Sequence, residues 1–201
     1  MRLVLASNNA KKLAELQALF TPLGLELVTQ GSLGIPEAEE PFDSFVENAL
    51  TKARHAARLS GLPALADDSG LSVDALGGAT GVRSARYALD AGGEKSDAAN
   101  NAHLLSRMGG VADRRARFVC ALVAVRSADD PEPLIAMGRW SGELLAAPCG
   151  EGGFGYDPLL FIPAAGRAVA QLSAAEKNAL SHRALAAADL IAQFREVWRL
   201  G

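Results

Sequence analysis

The sequence predicts an α/β protein built on a mixed β-sheet with flanking helices. Three observations carry that expectation. The chain opens strand–helix–strand: an apolar run at Leu3–Ala6, then Leu13, Leu16, Leu19 and Phe20 at helical spacing, then a second run at Leu25–Thr29. Further on, two β-rich runs, Arg117–Arg126 and Leu134–Trp140, flank Asp129, Asp130, Pro131 and Pro133, the pattern of an antiparallel pair. Finally, 201 residues that are 49% apolar and 21% charged make one globular domain spanning 1–201, or two lobes sharing a core. Two independent enzymes would need more chain.

Each element has a local reason. The first strand stops at the polar turn Ser7-Asn8-Asn9, and Thr21-Pro22 stops the helix that starts at Lys12. Gly31–Asp43 is polar, acidic and interrupted by proline, and reads as a loop. Ser44-x-x-Glu47 is a capping box, and Phe45, Ala49, Ala53, Ala56 and Ala57 line one face of a helix ending at Gly61. Ala64–Ala66 is a short strand running into Asp67-Asp68-Ser69-Gly70, with another apolar stretch at Leu71–Leu76. Gly77, Gly78 and Gly81 mark a loop through Arg86, and Ser96–Met108 is helical up to Gly109-Gly110. Gly150–Pro158 is a glycine-rich loop before the strand Leu159–Ile162. Ser173-x-x-Glu176 is a second capping box, and Leu185–Trp198 forms the closing helix.

Composition excludes several classes of function. A net charge of −3 offers no general basic surface to displace counterions, which argues against nucleic acid as a partner. Cys120 and Cys149 are too few for a disulfide framework and read as buried thiols of a reducing compartment. No apolar run nears the ~20 residues of a membrane span, and MRLVLASNN lacks a signal peptide's apolar centre. A soluble cytoplasmic enzyme is the expectation. His55 and His103 have no zinc-ligand spacing, and no Gly-x-Ser-x-Gly motif marks a nucleophilic serine.

Four segments remain that could carry chemistry. Ser7-Asn8-Asn9-Ala10-Lys11-Lys12 sits where a strand enters a helix, so exposed N–H groups and a lysine could bind phosphate; the same residues could equally form a plain helix cap. Asp67 and Asp68 are adjacent carboxylates at an apparent strand end, where a hard cation is a natural partner and Glu37, Glu39 or Glu40 could add a ligand. The bland reading is an Asp-Ser-Gly turn. Gly150–Pro158 contains G-x-G-x-x-G, but a proline and a strand follow it, which is wrong for a dinucleotide site. Its glycines leave room for Phe154 or Tyr156 to stack on a flat ligand, or simply form a bulged turn. Lys177, with Ser181-His182-Arg183, supplies cations and donors, or a solvated basic patch.

In this order, with Phe45-x-Glu47-Asn48-Ala49-x-x-Lys52-Ala53 and Gly81-Val82-x-Ser84-Ala85-Arg86-Tyr87, the segments resemble the inosine/xanthosine triphosphate pyrophosphatase family across essentially the whole chain. The resemblance implies an elongated mixed sheet, a homodimer, and Mg²⁺-dependent hydrolysis of ITP, dITP and XTP to monophosphate and pyrophosphate. It places the phosphate loop on Ser7, Asn8, Asn9, Ala10, Lys11 and Lys12, with Asn8 where many relatives carry glycine. It places the catalytic, metal-binding carboxylate on Asp68, a second metal ligand on Glu39 and a substrate contact on Ser69. Base recognition falls on Phe154, Gly155, Tyr156, Asp157, Lys177, His182 and Arg183, with His182 and Arg183 as donors to a 6-keto purine. Two other readings stay open: a pyrophosphatase for modified pyrimidine or methylated nucleotides, and a sensor that binds purine triphosphate without hydrolysis.

Overall fold

A strand shows its side chains alternately to two faces, and three strand segments here are apolar on both. A computed structural model describes residues 1–200. Its strands are β1 (Arg2–Leu5), β2 (Glu26–Thr29), β3 (Ala64–Val73), β4 (Arg115–Val125), β5 (Leu134–Leu144), β6 (Leu160–Ile162) and β7 (Arg167–Ala168). The helices are α1 (Ala10–Phe20), α2 (Phe45–Ser60), α3 (Asp97–Arg107), α4 (Ala174–Leu180) and α5 (His182–Val197). Among the described residues the strands form one seven-stranded sheet in the order β2-β1-β3-β4-β5-β6-β7. β1 runs parallel to β2 and β3, and β6 runs antiparallel to β5 and β7, so the sheet is mixed as expected.

The chain divides into two compact units. The first comprises residues 1–68, 120–138 and 181–201, and the second 69–119 and 139–180. In the first, odd-numbered Leu3, Leu5 and Leu65 join Leu16 and Phe20 of α1 and Leu190 and Phe194 of α5 in one cluster. Even-numbered Val4, Ala64 and Ala66 join Ala49, Ala53, Ala56 and Ala57 of α2 in another. The sheet segment is thus covered on both faces, which is why its strands are continuous apolar runs rather than alternating ones. Fully burying each such Leu or Phe stabilises by about 1.5–3 kcal/mol relative to exposure. The second unit has its own core, in which Leu71, Leu104, Trp140, Tyr156 and Leu160 meet.

The helix ends follow local chemistry. Ser44 Oγ accepts from Glu47 N and Gly61 closes α2 at φ +68°, as the capping box and glycine predict. The second box heads a separate short helix: Ser173 and Glu176 start α4, and Ser181 then caps α5, which begins at His182 rather than Leu185. α1 begins at Ala10, two residues before the predicted Lys12. The largest correction is β3. The predicted break at Asp67-Asp68-Ser69-Gly70 does not exist, and one ten-residue strand runs from Ala64 to Val73. Cys120 is buried as expected, whereas Cys149 is only half-buried.

Candidate active site

Because β3 is continuous, its alternation splits the acidic pair. Asp67 shares parity with Leu65 and meets α1 and α5, whereas Asp68 shares parity with Ala66 and meets α2. Lys12 Nζ donates to Asp67 Oδ1 at 2.5 Å and Arg183 Nε donates to Asp67 Oδ2 at 2.7 Å. The Cys120 thiol donates to the same Oδ2 at 3.4 Å. Burial alone would raise the Asp67 pKa, but Arg183 and Lys12 outweigh it and hold the carboxyl well below the usual range. Arg183 also bonds Glu15. The partners of buried Asp67 are therefore protein cations, and the expected sharing of one cation by the pair is corrected.

Asp68 has a different environment. Lys52 Nζ donates to Asp68 Oδ1 at 2.9 Å, to Glu40 Oε1 at 2.8 Å and to the Asp67 carbonyl at 3.0 Å. Burial lifts the Asp68 pKa above the ordinary carboxylate value, and Lys52 only partly reverses it. For Lys52, burial works against the charge, but Asp68 and Glu40 together outweigh it and the net shift is upward. The other Asp68 oxygen, Oδ2, is buried and has no hydrogen-bond partner.

Glu39 is exposed and lies on a different surface, a cavity of about 370 Å³ lined with Phe42, Arg54, His55 and Arg58. The acidic side chain brought to Asp68 through Lys52 is Glu40, one residue beyond the expected Glu39. In the loop before α1, Asn9 Oδ1 accepts from the backbone N–H groups of Lys11 and Lys12 at 3.0 and 3.1 Å, so the capping reading is realised. Ser7 Oγ accepts from Asn9 N, and Asn8 Oδ1 accepts from Gly31 N. A Cβ at Gly31 would lie 2.4 Å from that oxygen, so this approach requires glycine. Asn8 is not among the residues with positive φ, so the loop does not need glycine at position 8. Asn8 through Lys11 are exposed.

In the second unit, Lys177 Nζ donates to Asp157 Oδ2 at 2.7 Å and lies 4.6 Å from the centre of the Phe154 ring. The same Asp157 oxygen accepts from Phe154 N at 2.9 Å. Gly153 has φ +75°, and a Cβ there would stand 2.0 Å from Asp157 Oδ2. Of the two aromatic candidates, Tyr156 is 4% exposed and donates its hydroxyl to Ser84 O at 2.9 Å, whereas Phe154 is half-buried. Burial pushes the Tyr156 phenol above its ordinary value. Tyr156 is a core residue, and Phe154 is the ring able to stack.

Lys177, Ser181, His182 and Arg183 are all buried, so no solvated basic patch exists there. Arg183 is 1% exposed with two carboxylate partners, Glu15 and Asp67, and holds the Asp67 carboxylate in place. Sequence reasoning missed Glu15. Its position three residues after Lys12, on the same helix face, was the available signal.

Residues 3–193 match the Ham1 family. The chain belongs to that family. The Ham1 match is supported along the whole length by curated relatives. A dITP/XTP pyrophosphatase of Leptothrix cholodnii is 65% identical over 100% of both chains. Another, of Methylibium petroleiphilum, is 66% identical over 98% of this chain and 99% of its own. A solved structure of a HAM1 protein from Coxiella burnetii superposes with TM-score 0.89 at 44% identity, covering 98% and 100% of the two chains. The Ham1 fold thus carries both clusters described above. Among the described residues, no helix is long and apolar enough to cross a membrane.

Proposed function

We propose that this chain hydrolyses the non-standard purine triphosphates ITP, dITP and XTP to monophosphate and pyrophosphate, using Mg²⁺, and so removes them from the nucleotide pool. The name dITP/XTP pyrophosphatase, carried by relatives at 65–66% identity, supports the substrate class. The observation that carries the chemistry is Asp68: a buried carboxylate with one oxygen on Lys52 and the other without a hydrogen-bond partner. Such an oxygen fits a cation, since a buried polar atom is costly unless satisfied.

No cluster of three or more His, Cys, Asp or Glu able to hold a metal occurs among the described residues. The pair Asp68 and Glu40, both on Lys52, suits Mg²⁺, which usually binds one or two carboxylates and completes its shell with phosphate oxygens and water. Asp68 and Glu40 would hold it, and when bound it supplies charge neutralisation at the phosphates. In this reading Lys52 sets the spacing of the two carboxylates. Asp68 orients the attacking water and accepts its proton, a role that suits its raised pKa. Lys11, Lys12 and the N–H groups at the start of α1 bind the triphosphate, and Ser69 contacts substrate. Phe154 stacks on the base beside Lys177, Asp157 braces that loop, and His182 donates to the 6-keto oxygen. The resemblance adds a cytoplasmic homodimer.

The test is a panel of nucleoside triphosphates with Mg²⁺, scored separately for pyrophosphate and orthophosphate. Pyrophosphate and IMP should appear together from ITP. Orthophosphate release with IDP appearing first would overturn the reaction, and binding without turnover would make the protein a sensor.

A further inference from the structure

The base-binding loop is short, glycine-rich and therefore free to rearrange unless each of its residues is fixed. Three of the four residues are held within the second unit by contacts described above: Phe154 by Asp157 and Lys177, Tyr156 by Ser84, and Asp157 by Lys177. Gly155 has no side chain with which to be held. It sits at φ +61°, a conformation glycine adopts at little cost, and a glycine whose peptide groups are unanchored can rotate them readily.

Helix α3 supplies the missing anchor. Asp97 Oδ2 accepts from Gly155 N at 2.7 Å, and Asn101 Nδ2 donates to Gly155 O at 3.0 Å. Asp97 and Asn101 are four residues apart, so they project from one face of the helix and address one residue of the loop from both its N–H and its C=O. The amide orientation of Asn101 is fixed by this contact, because reversing it would set oxygen against oxygen. A cavity of about 440 Å³ lies beside the pair, lined also by Leu105 and Pro158, so the clamp is not reinforced there by close packing. Ser96, whose side chain accepts from Ala99 N, in turn fixes the start of the helix.

We propose that Asp97 and Asn101 are positioning residues for base binding: by clamping both sides of Gly155 they hold Phe154 in stacking register, and thereby set the affinity for purine triphosphates as a class. Neither residue needs to touch substrate. The proposal rests on the reading of Phe154 as the stacking residue, and the test separates the two.

The experiment compares Asp97→Ala, Asn101→Ala and the conservative Asp97→Asn, which keeps an oxygen able to accept from Gly155 N. Alanine suits a helix interior, so Asn101→Ala leaves α3 itself intact. Amide hydrogen exchange in 153–157 should quicken in both alanine variants and return to the parent rate in Asp97→Asn. KM should rise about tenfold with kcat changed less than threefold, and by a similar factor for ITP and ATP, since stacking is tolerant of base identity. Unchanged exchange would overturn the clamp. Faster exchange with unchanged KM would overturn its role in base binding. Phe154→Ala run alongside identifies the remaining case: if that variant keeps the parental KM, the stacking assignment fails, whatever the clamp does.

Discussion

At the scale of single residues, the two neighbouring aspartates have different partners, Arg183 and Lys12 for Asp67 and Lys52 for Asp68, and substitutions there should differ in effect. Asp68→Asn should lower kcat by at least ~10²-fold while the protein stays folded, the size expected when acid–base or electrostatic stabilisation is removed. Near-normal turnover in a folded variant would deny Asp68 that role. Glu40→Gln should raise the Mg²⁺ concentration needed for half-maximal activity severalfold, and Glu39→Gln should leave it unchanged; the reverse order in a Mg²⁺ titration would return the ligand to Glu39. Arg183→Ala removes the guanidinium from buried Asp67. Removing one partner of a buried pair costs about 3–5 kcal/mol, which urea unfolding would read directly. Asp68 was legible because carboxylates next to an apolar run demand an explanation. The choice between Glu39 and Glu40 was not, because no period governs an irregular loop. The ion pair of Arg183 was hidden for a different reason: sequence displays a charge but not its partner, and here the partner lies 116 positions away.

At the scale of elements, the strand–helix–strand opening and the capped α2 could be read because period and caps agreed there. β3 could not. Asp, Ser and Gly favour turns by local preference, yet the flanking strands β1 and β4 and the protein cations around Asp67 keep the segment extended. Tertiary context overrode propensity at the place where the candidate chemistry sits, as expected of functional segments. A related constraint acts on β5, where a Cβ at Gly138 would lie 1.8 Å from the His182 carbonyl and 2.7 Å from Ala186 N. Backbone atoms cannot step aside as a flexible side chain can. Gly138→Ala should therefore destabilise by about 1–3 kcal/mol, the usual cost of overpacking, visible as a lower Tm. An unchanged Tm would mean that α5 can slide outward without loss.

For the whole molecule, the mixed sheet with flanking helices was legible, whereas the boundaries of the two units were not. Three of the four cut through β3, β4 and β5, where no change of composition marks them. Each unit buries a strongly shifted group, Asp67 in the first and Tyr156 in the second, and the two act at opposite ends of the pH scale. Asp67 is held below its unfolded value, so its contribution is complete above about pH 4 and disappears as pH falls further. Tyr156 is held above its ordinary value of 10.0, so its contribution is complete below that pH and declines as the unfolded phenol ionises. Tyr156→Phe should flatten the alkaline limb of stability against pH and leave the acid limb alone; an unchanged alkaline slope would assign it elsewhere. The Asp67–Arg183 pair also bears on the order of events during synthesis. At about 5–20 residues per second, a ribosome takes roughly 6–20 seconds to make the 116 positions that separate them. Until α5 emerges, β3 carries a carboxylate that cannot be buried comfortably, so that face of the nascent sheet closes last, and a chain released before Arg183 is exposed to proteolysis at its centre.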